Sequence, residues 1–489
     1  MSGSDTQIRA TALDPSRSFC VTAPAGSGKT ELLTQRILAL LPTVDRPEQV
    51  LAMTFTRKAA AEMRERLLMK LDEARAGVEV TASHERQTRD LALAVLAHAD
   101  KHSWSLDPEE FNLRTIDSLC ADLTRQMPIL SGLGGAVEIT EHDKPLFEQA
   151  VIELFAAVGS NTLEGEDLRS LLLHFNNDWE SVRGLLVALL ARRGDWGEKL
   201  GQHADPTEAA LRLQGTVESL VQSIVARLCD EFGSCLEELQ ALAQASADEL
   251  GKPDVYLGAE HSAFESWKAA AHILLTSTDA WRKPNGVNVK LGFPAKSETK
   301  ARLQDLLAAL SEGPIPPVLL ELRRLPVISD DDASWRLVLR LSRLLPVLQA
   351  QLLLVFQREG RVDFTHVALA ASLALGSDDE PTDLALRLDY QIAHILVDEF
   401  QDTSNQQFTL LKKLVRGWHE HNATGAPPRT VFIVGDGMQS IYGFRYADVS
   451  LFLDAKDSGI GGLPLESLEL TRNFRSQAGV VDWVNRVFA

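Results

Sequence analysis

Cysteine is scarce in these 489 residues: there are four, Cys20, Cys120, Cys229 and Cys235, and no two stand in Cys-x-x-Cys spacing. That argues against a zinc ribbon or a cysteine-ligated cluster and suits a reducing compartment, so a cytoplasmic location is expected. Cys20 stands in an apolar run and Cys120 follows Leu119, and both read as inert core thiols. Long hydrophobic runs are also missing. The most apolar stretch, around Val182–Leu190, is interrupted by Arg183 and closed by Arg192 and Arg193, which leaves it too short to cross a bilayer. The opening Met-Ser-Gly-Ser-Asp-Thr-Gln has no basic start and no apolar run, so it does not read as a secretory signal. Basic charge is in deficit, with 49 Lys+Arg against 68 Asp+Glu and a net charge of −19. An acidic body counts against binding nucleic acid over its whole surface, but it leaves room for a locally basic groove.

What is present is ample for a large folded protein. A hydrophobic content of 45% and a charged content of 24% describe ordinary globular composition, and the length allows two to four domains. Two segments carry chemistry. Residues 23–30 read Ala-Pro-Ala-Gly-Ser-Gly-Lys-Thr, and residues 395–402 read Ile-Leu-Val-Asp-Glu-Phe-Gln-Asp. The first has the pattern of a phosphate-binding loop, with Ala23 where the general pattern has Gly. Gly26 and Gly28 let backbone N–H groups approach phosphates, and the helix start beyond adds positive potential. Lys29 is placed to reach the β- and γ-phosphates, and Thr30 to put its hydroxyl on Mg²⁺. The second segment is an apolar strand that ends on two carboxylates, Asp398 for the metal and Glu399 for the attacking water. Loop and acidic strand end together predict a site for ATP and Mg²⁺.

The order of elements predicts an α/β fold, a P-loop NTPase sheet of parallel strands with a large helical insertion. Strands are expected at 18–22, 50–55, 394–397 and 430–434, and helices at 58–71 and 405–415, with Pro42 ending the helix after the loop. Helical periodicity dominates from 128 to 360, most clearly over 207–250, with breaks near 283–286 and 313–317. The expected organisation is a first RecA-like motor portion at 1–127, a helical insertion at 128–360, a second motor portion at 361–465, and the start of a further domain at 466–489.

Five segments beyond the loop, the acidic one among them, give the pattern a family. Leu51-Ala-Met-Thr-Phe-Thr-Arg-Lys-Ala-Ala-Ala-Glu-Met63, Thr115-Ile-Asp-Ser-Leu119, Asp398-Glu-Phe-Gln-Asp402, Gly435-Asp-Gly-Met-Gln-Ser-Ile-Tyr-Gly-Phe-Arg445 and Leu470-Thr-Arg-Asn-Phe-Arg-Ser476 follow the loop in order. Together they resemble the first motor half of a superfamily 1 helicase of the UvrD/RecB type, in the branch of AddA-like proteins and the exonuclease V beta subunit. Asp117 stands where many members have His. The resemblance covers 1–125 and 390–485 and leaves the helical middle without a signature.

The resemblance implies further roles. Gln7 would contact adenine, Gln439 would sense the γ-phosphate, Phe474 would stack near the adenine, and Arg475 would meet the γ-phosphate, alongside the loop residues Ala23, Pro24, Ala25, Gly26, Ser27, Gly28, Lys29 and Thr30. Phe55, Tyr442 and Phe444 would stack on DNA bases, with Arg57, Lys58 and Thr115 along the DNA and Arg445 tying nucleotide to DNA. Stacking on the face common to every base gives a sequence-tolerant grip on a single strand, and backbone cations add salt-dependent affinity. The implied activity is an ATP-dependent DNA helicase or translocase moving 3′ to 5′ in recombination and double-strand-break repair. Its expected partners are single-stranded or 3′-tailed DNA and a second helicase or nuclease subunit. The sequence shows no second motor half and no nuclease signature, so slow hydrolysis is expected of this stretch alone. A non-motor ATP-binding module or remnant dependent on a partner is the alternative, and a small-molecule P-loop kinase is disfavoured by the acidic strand end and the 439–445 segment.

Overall fold

The computed structural model describes residues 3–127, 137–201, 206–325, 333–377, 380–441, 443 and 447–487. Eight strands occur among them: β1 (Phe19–Thr22), β2 (Val50–Thr54), β3 (Leu113–Thr115), β4 (Glu138–Ile139), β5 (Arg361–Val362), β6 (His394–Val397), β7 (Thr430–Gly435) and β8 (Glu466–Glu469). Six of them form one parallel sheet in the order β3-β2-β6-β7-β1-β8, and β4 pairs with β5 separately. The inner strands are apolar runs buried along their length, as a parallel sheet covered on both faces requires. Phe19, Val21, Ala52, Leu396, Phe432 and Val434 meet Leu32, Ile37, Met63 and Leu67 from the flanking helices in one core.

The chain divides into two compact units. The first comprises 1–147, 191–198 and 352–489 and carries the sheet; the second comprises 148–190 and 199–351. The second unit is built from helices around Val221, Leu228, Leu239, Leu242, Trp267 and Leu303, and the Trp267 indole N–H donates to the Gly258 carbonyl at 3.0 Å. The periodicity over 207–250 resolves into two helices, Pro206–Glu231 and Leu236–Glu249, broken at Phe232-Gly-Ser-Cys235. The longest apolar helix is Ala333–Glu359 rather than the stretch near Val182. It has the length and composition of a membrane span, yet Leu344, Leu348, Leu352, Val355 and Phe356 are buried at the three- and four-residue spacing of a core helix.

The expected strands and helices lie where the pattern predicts, with ends shifted by at most four residues. β2 stops at Thr54, because Thr56 turns its hydroxyl onto the Ala59 N–H and starts the helix Arg57–Arg75. β3 and β8 carry no strand pattern in sequence. β3 is three residues long, and β8 is an edge strand, Glu-Ser-Leu-Glu, with exposed glutamates. Residues 466–469, assigned from sequence to the portion after the motor, pair with β1 as the sixth strand of its sheet.

At the amino end of β6, His394 is 2% exposed between two threonines. Thr43 donates its hydroxyl to the Leu40 carbonyl, so its oxygen accepts from Nε2–H at 3.1 Å, while Nδ1 lies 2.8 Å from the Thr430 hydroxyl. Burial, and then the Arg36 charge, push the imidazole down from 6.5 to about 3. The unfolded chain therefore takes up a proton that the folded chain refuses, and the stability held above pH 6.5 is lost as pH falls toward 3. The largest slope from this one group is about 1.4 kcal/mol per pH unit. Asp398, pushed up to about 6, acts in the opposite sense, so a variant isolates the histidine. His394→Gln is expected to flatten the fall in unfolding free energy on acidification, measured by urea denaturation across that range.

Candidate active site

Parallel strands bring their carboxyl ends to one edge, and side chains with chemistry collect there. Thr22 is in register with Gly435, Val397 with Ile433, and Met53 with Val397. The segments that follow β1, β6, β7 and β2 therefore share one rim.

After β1 the chain makes the loop 23–28 and enters the helix Lys29–Leu40. Gly26 and Gly28 hold φ of +78° and +74°, left-handed values that a side chain would strain. A Cβ on Gly26 would also lie 2.5 Å from Asn473 Oδ1 and 2.8 Å from Arg475 Cβ. Successive N–H groups in this conformation form a concavity for an anion. Ser27 is 2% exposed, and its hydroxyl has no hydrogen-bond partner among the described residues. An orphaned donor in a glycine cradle at a helix start fits a phosphate. Ala23 is buried, where its N–H donates to Gly435 O at 2.9 Å, while Pro24, Ala25 and Thr30 are exposed.

Lys29 Nζ lies 3.6 Å from Asp398 Oδ1 and 2.5 Å from Glu399 Oε1. Residues 369 positions apart thus meet because β1 and β6 end on the same edge. Burial pushes the Asp398 carboxyl up to about 6, and Glu399 adds to the shift, while Lys29 opposes it. A buried carboxylate held ionised by a cation is the donor that a divalent metal needs. Thr30 and Asp398 would hold such an ion. Glu399 has left-handed backbone, φ 53°, which turns it out of the strand line.

Two features escaped the sequence. Gln401, 1% exposed, donates to Glu399 Oε2 at 2.8 Å and accepts from the Asp436 N–H at 3.0 Å. Asp436 in turn accepts from Gln439 Nε2, and Ser440 donates to Asp402 at 3.1 Å. A continuous polar chain therefore runs from Glu399 to the segment after β7. Its one sequence signal is a glutamine inside the acidic motif. Arg9 is the other. Its guanidinium pairs with Asp5 at 3.0 Å, donates to the Ser27 carbonyl, and lies 5.3 Å from the centre of the Phe474 ring. Asp5 also accepts from the Thr471 N–H at 3.2 Å, and the Phe474 N–H donates to Gly26 O at 2.7 Å. Helix Gly3–Ala12 and residues 471–475 thus brace the loop from outside. Arg9 pins one loop carbonyl outward, which leaves the N–H groups to face the concavity. Gln7 is exposed on the same helix; Phe474 is 56% exposed, with Arg472 also 4.9 Å from its ring centre, and Arg475 is exposed beside Asn473.

On the same rim, Phe55 follows β2 half-buried, and Arg57 and Lys58 are exposed at the start of the next helix, Lys58 3.7 Å from Glu62. Thr115 is 6% exposed and spends its hydroxyl capping the helix Ile116–Gln126, accepting from the Ser118 N–H at 3.1 Å. Tyr442, Phe444 and Arg445 lie outside the described residues.

Comparison with known proteins agrees with this geometry. A family model described as the UvrD/REP helicase N-terminal domain matches residues 4–459. The chain is 29% identical over 518 residues to an ATP-dependent helicase/nuclease subunit of Levilactobacillus brevis, covering 96% of this chain and 37% of that protein. It is 28% identical over 546 residues to the protein of the same name from Desulfitobacterium hafniense, covering 99% and 36%. To that of Moorella thermoacetica it is 30% identical over 512 residues, covering 96% and 34%. The chain therefore spans little more than a third of the length of these curated relatives.

Proposed function

The chain belongs to the UvrD/REP helicase family, and from that membership we propose that it is the ATP-binding motor portion of a DNA helicase of recombination and double-strand-break repair. The observation that carries the reading is Lys29 between Asp398 and Glu399, at the foot of the glycine cradle and on the edge that also bears Phe55. In this reading the loop N–H groups and Ser27 bind the phosphates. A polyphosphate outcompetes the carboxylates for Lys29, which turns from them to the β- and γ-phosphates and leaves Asp398, with Thr30, to hold Mg²⁺. A bound Mg²⁺ would supply charge neutralisation on the phosphates. Glu399 takes the proton of the attacking water, and Gln439 senses the γ-phosphate through the Gln401–Asp436 chain. Arg475 meets the γ-phosphate, with Phe474 and Gln7 at the base. Phe55, Arg57 and Lys58, with Tyr442, Phe444 and Arg445, hold the single strand, Thr115 fixes the start of the helix Ile116–Gln126 beside them through its cap, and movement runs 3′ to 5′. The relatives share a name that makes each of them one subunit of a helicase/nuclease, which supports a second protein chain as partner. Of the stretch 128–360 expected as the helical insertion, 148–190 and 199–351 serve as that insertion, the sheet-bearing unit through β8 serves as the first motor domain, and the residues after β8 lead into the second.

In this reading nucleotide on the edge alters the affinity for DNA, and DNA then alters the affinity for nucleotide by the same factor. A labelled single-stranded oligonucleotide, followed by fluorescence anisotropy, is expected to change its dissociation constant by about threefold or more when a non-hydrolysable ATP analogue and Mg²⁺ are added. The same titration on Lys29→Ala is expected to show no change. An identical constant with and without analogue in the parent protein would contradict the reading.

A further inference from the structure

Phe55 also lines a cavity of about 260 Å³ within the sheet-bearing unit, and its other walls include Phe364, Asp117, Asp143 and Gln406. Two aromatic rings and a space of this size suit a flat heterocycle. The polar lining narrows the choice. Asp117, Glu141 and Asp143 contribute three carboxylates, and among the described residues no lysine or arginine lines the cavity, so the lining offers acceptors to a hydrogen-bond donor and no cation to a phosphate.

The amides divide into one that is committed and one that is not. Gln407 donates to Asp117 Oδ1 at 2.9 Å and accepts from the Ser404 N–H at 3.1 Å, so it serves to fix Asp117. Gln406 is 6% exposed, and its side-chain amide makes no hydrogen bond among the described residues. Its place is prepared by Gly194, where a Cβ would collide with the Gln406 amide. That amide faces the cavity, where a planar edge with one donor beside one acceptor can pair with it.

We infer that this cavity is a nucleobase pocket that favours bases with an exocyclic amino group, and among pyrimidines cytosine over uracil or thymine. The inference rests on the single-strand reading above and adds a preference that stacking alone does not create. A carboxamide can pair with either pyrimidine, because turning it over exchanges its donor and acceptor. Carboxylates cannot turn over: ionised, they only accept. They reward the N4 amino group of cytosine and repel the O4 carbonyl of uracil.

Oligo-dC and oligo-dU of equal length, titrated by anisotropy at one salt concentration, separate the outcomes, since these bases differ at the 4-position without the methyl group of thymine. The protein is expected to bind oligo-dC about tenfold more tightly, the worth of one charge-assisted hydrogen bond. In the double variant Asp117→Asn, Asp143→Asn the two constants should fall within about twofold of each other, with ATP affinity unchanged. Gln406→Met, which keeps the volume and removes the amide, should weaken oligo-dC binding and serves as the second line if the double variant does not fold. Equal binding of both oligomers by the parent protein, or a full preference surviving in both variants, would overturn the pocket assignment alone. Failure to bind either oligomer would overturn the single-strand reading, and the pocket with it.

Discussion

Lys29→Ala is expected to weaken Mg-ATP binding by about a thousandfold, to below detection by titration calorimetry at ordinary concentrations. Truncating one side of a buried, hydrogen-bonded charge pair costs about 2–5 kcal/mol, and each 1.4 kcal/mol is tenfold. The Lys29 side chain is only 16% exposed, so little water replaces the lost ammonium. The variant suffers a second loss. Lys29, more than the Glu399 N–H, opposes the upward shift of Asp398, and without it the carboxyl moves further up, away from the ionised form that a metal requires. Removal of Mg²⁺ by a chelator should likewise weaken nucleotide binding by the parent protein. Equal nucleotide affinity for parent and variant would remove the foundation of the site.

Glu399→Gln should separate binding from chemistry. The amide keeps the shape of the side chain, and its carbonyl can still accept from Gln401, but it can neither take a proton from water nor ion-pair with Lys29. Hydrolysis is expected to fall by about 10²–10⁴-fold, the usual worth of a general base. Nucleotide binding should hold or tighten, because a carboxylate 2.5 Å from Lys29 no longer competes with the phosphates. Phosphate release measured beside calorimetry on the same preparation checks both halves. A variant that still hydrolyses ATP within about threefold of the parent would move the base elsewhere on the rim.

Sequence and structure coincide most closely where chemistry demands contiguous residues. The loop needs its glycines, lysine and threonine at fixed spacing, and the acidic pair needs an apolar strand to deliver it, so the meeting of Lys29 with Asp398 and Glu399 was legible directly, while the metal role of Thr30 stays a proposal. Their convergence followed from parallel topology. Arg9 and Gln401 were not legible, because each acts on partners distant in sequence: Arg9 on Ser27, and Gln401 on Asp436. Arg36 shows the same limit in the core. An arginine in the helix after the loop reads as solvent-facing, yet it is 0% exposed, donates to the carbonyls of Ala12 and Arg17 at 3.0 and 2.7 Å, and lies over the rings of Phe19 and Phe432. Strand β8 escaped because an edge strand with exposed glutamates breaks the pattern that betrays buried strands. Thr115 was legible as part of a motif, although in the structure its hydroxyl caps a helix.

In the proposed function ATP bound between the ends of β1 and β6 drives movement along a single strand. Strand displacement tests it most directly, with the protein, together with the proposed second subunit, offered the same duplex carrying either a 3′ or a 5′ single-stranded tail. ATP-dependent separation of the 3′-tailed duplex, absent from the 5′-tailed one and abolished by Lys29→Ala, is the predicted result. Separation that persists in Lys29→Ala, or that proceeds only from the 5′ tail, would contradict it.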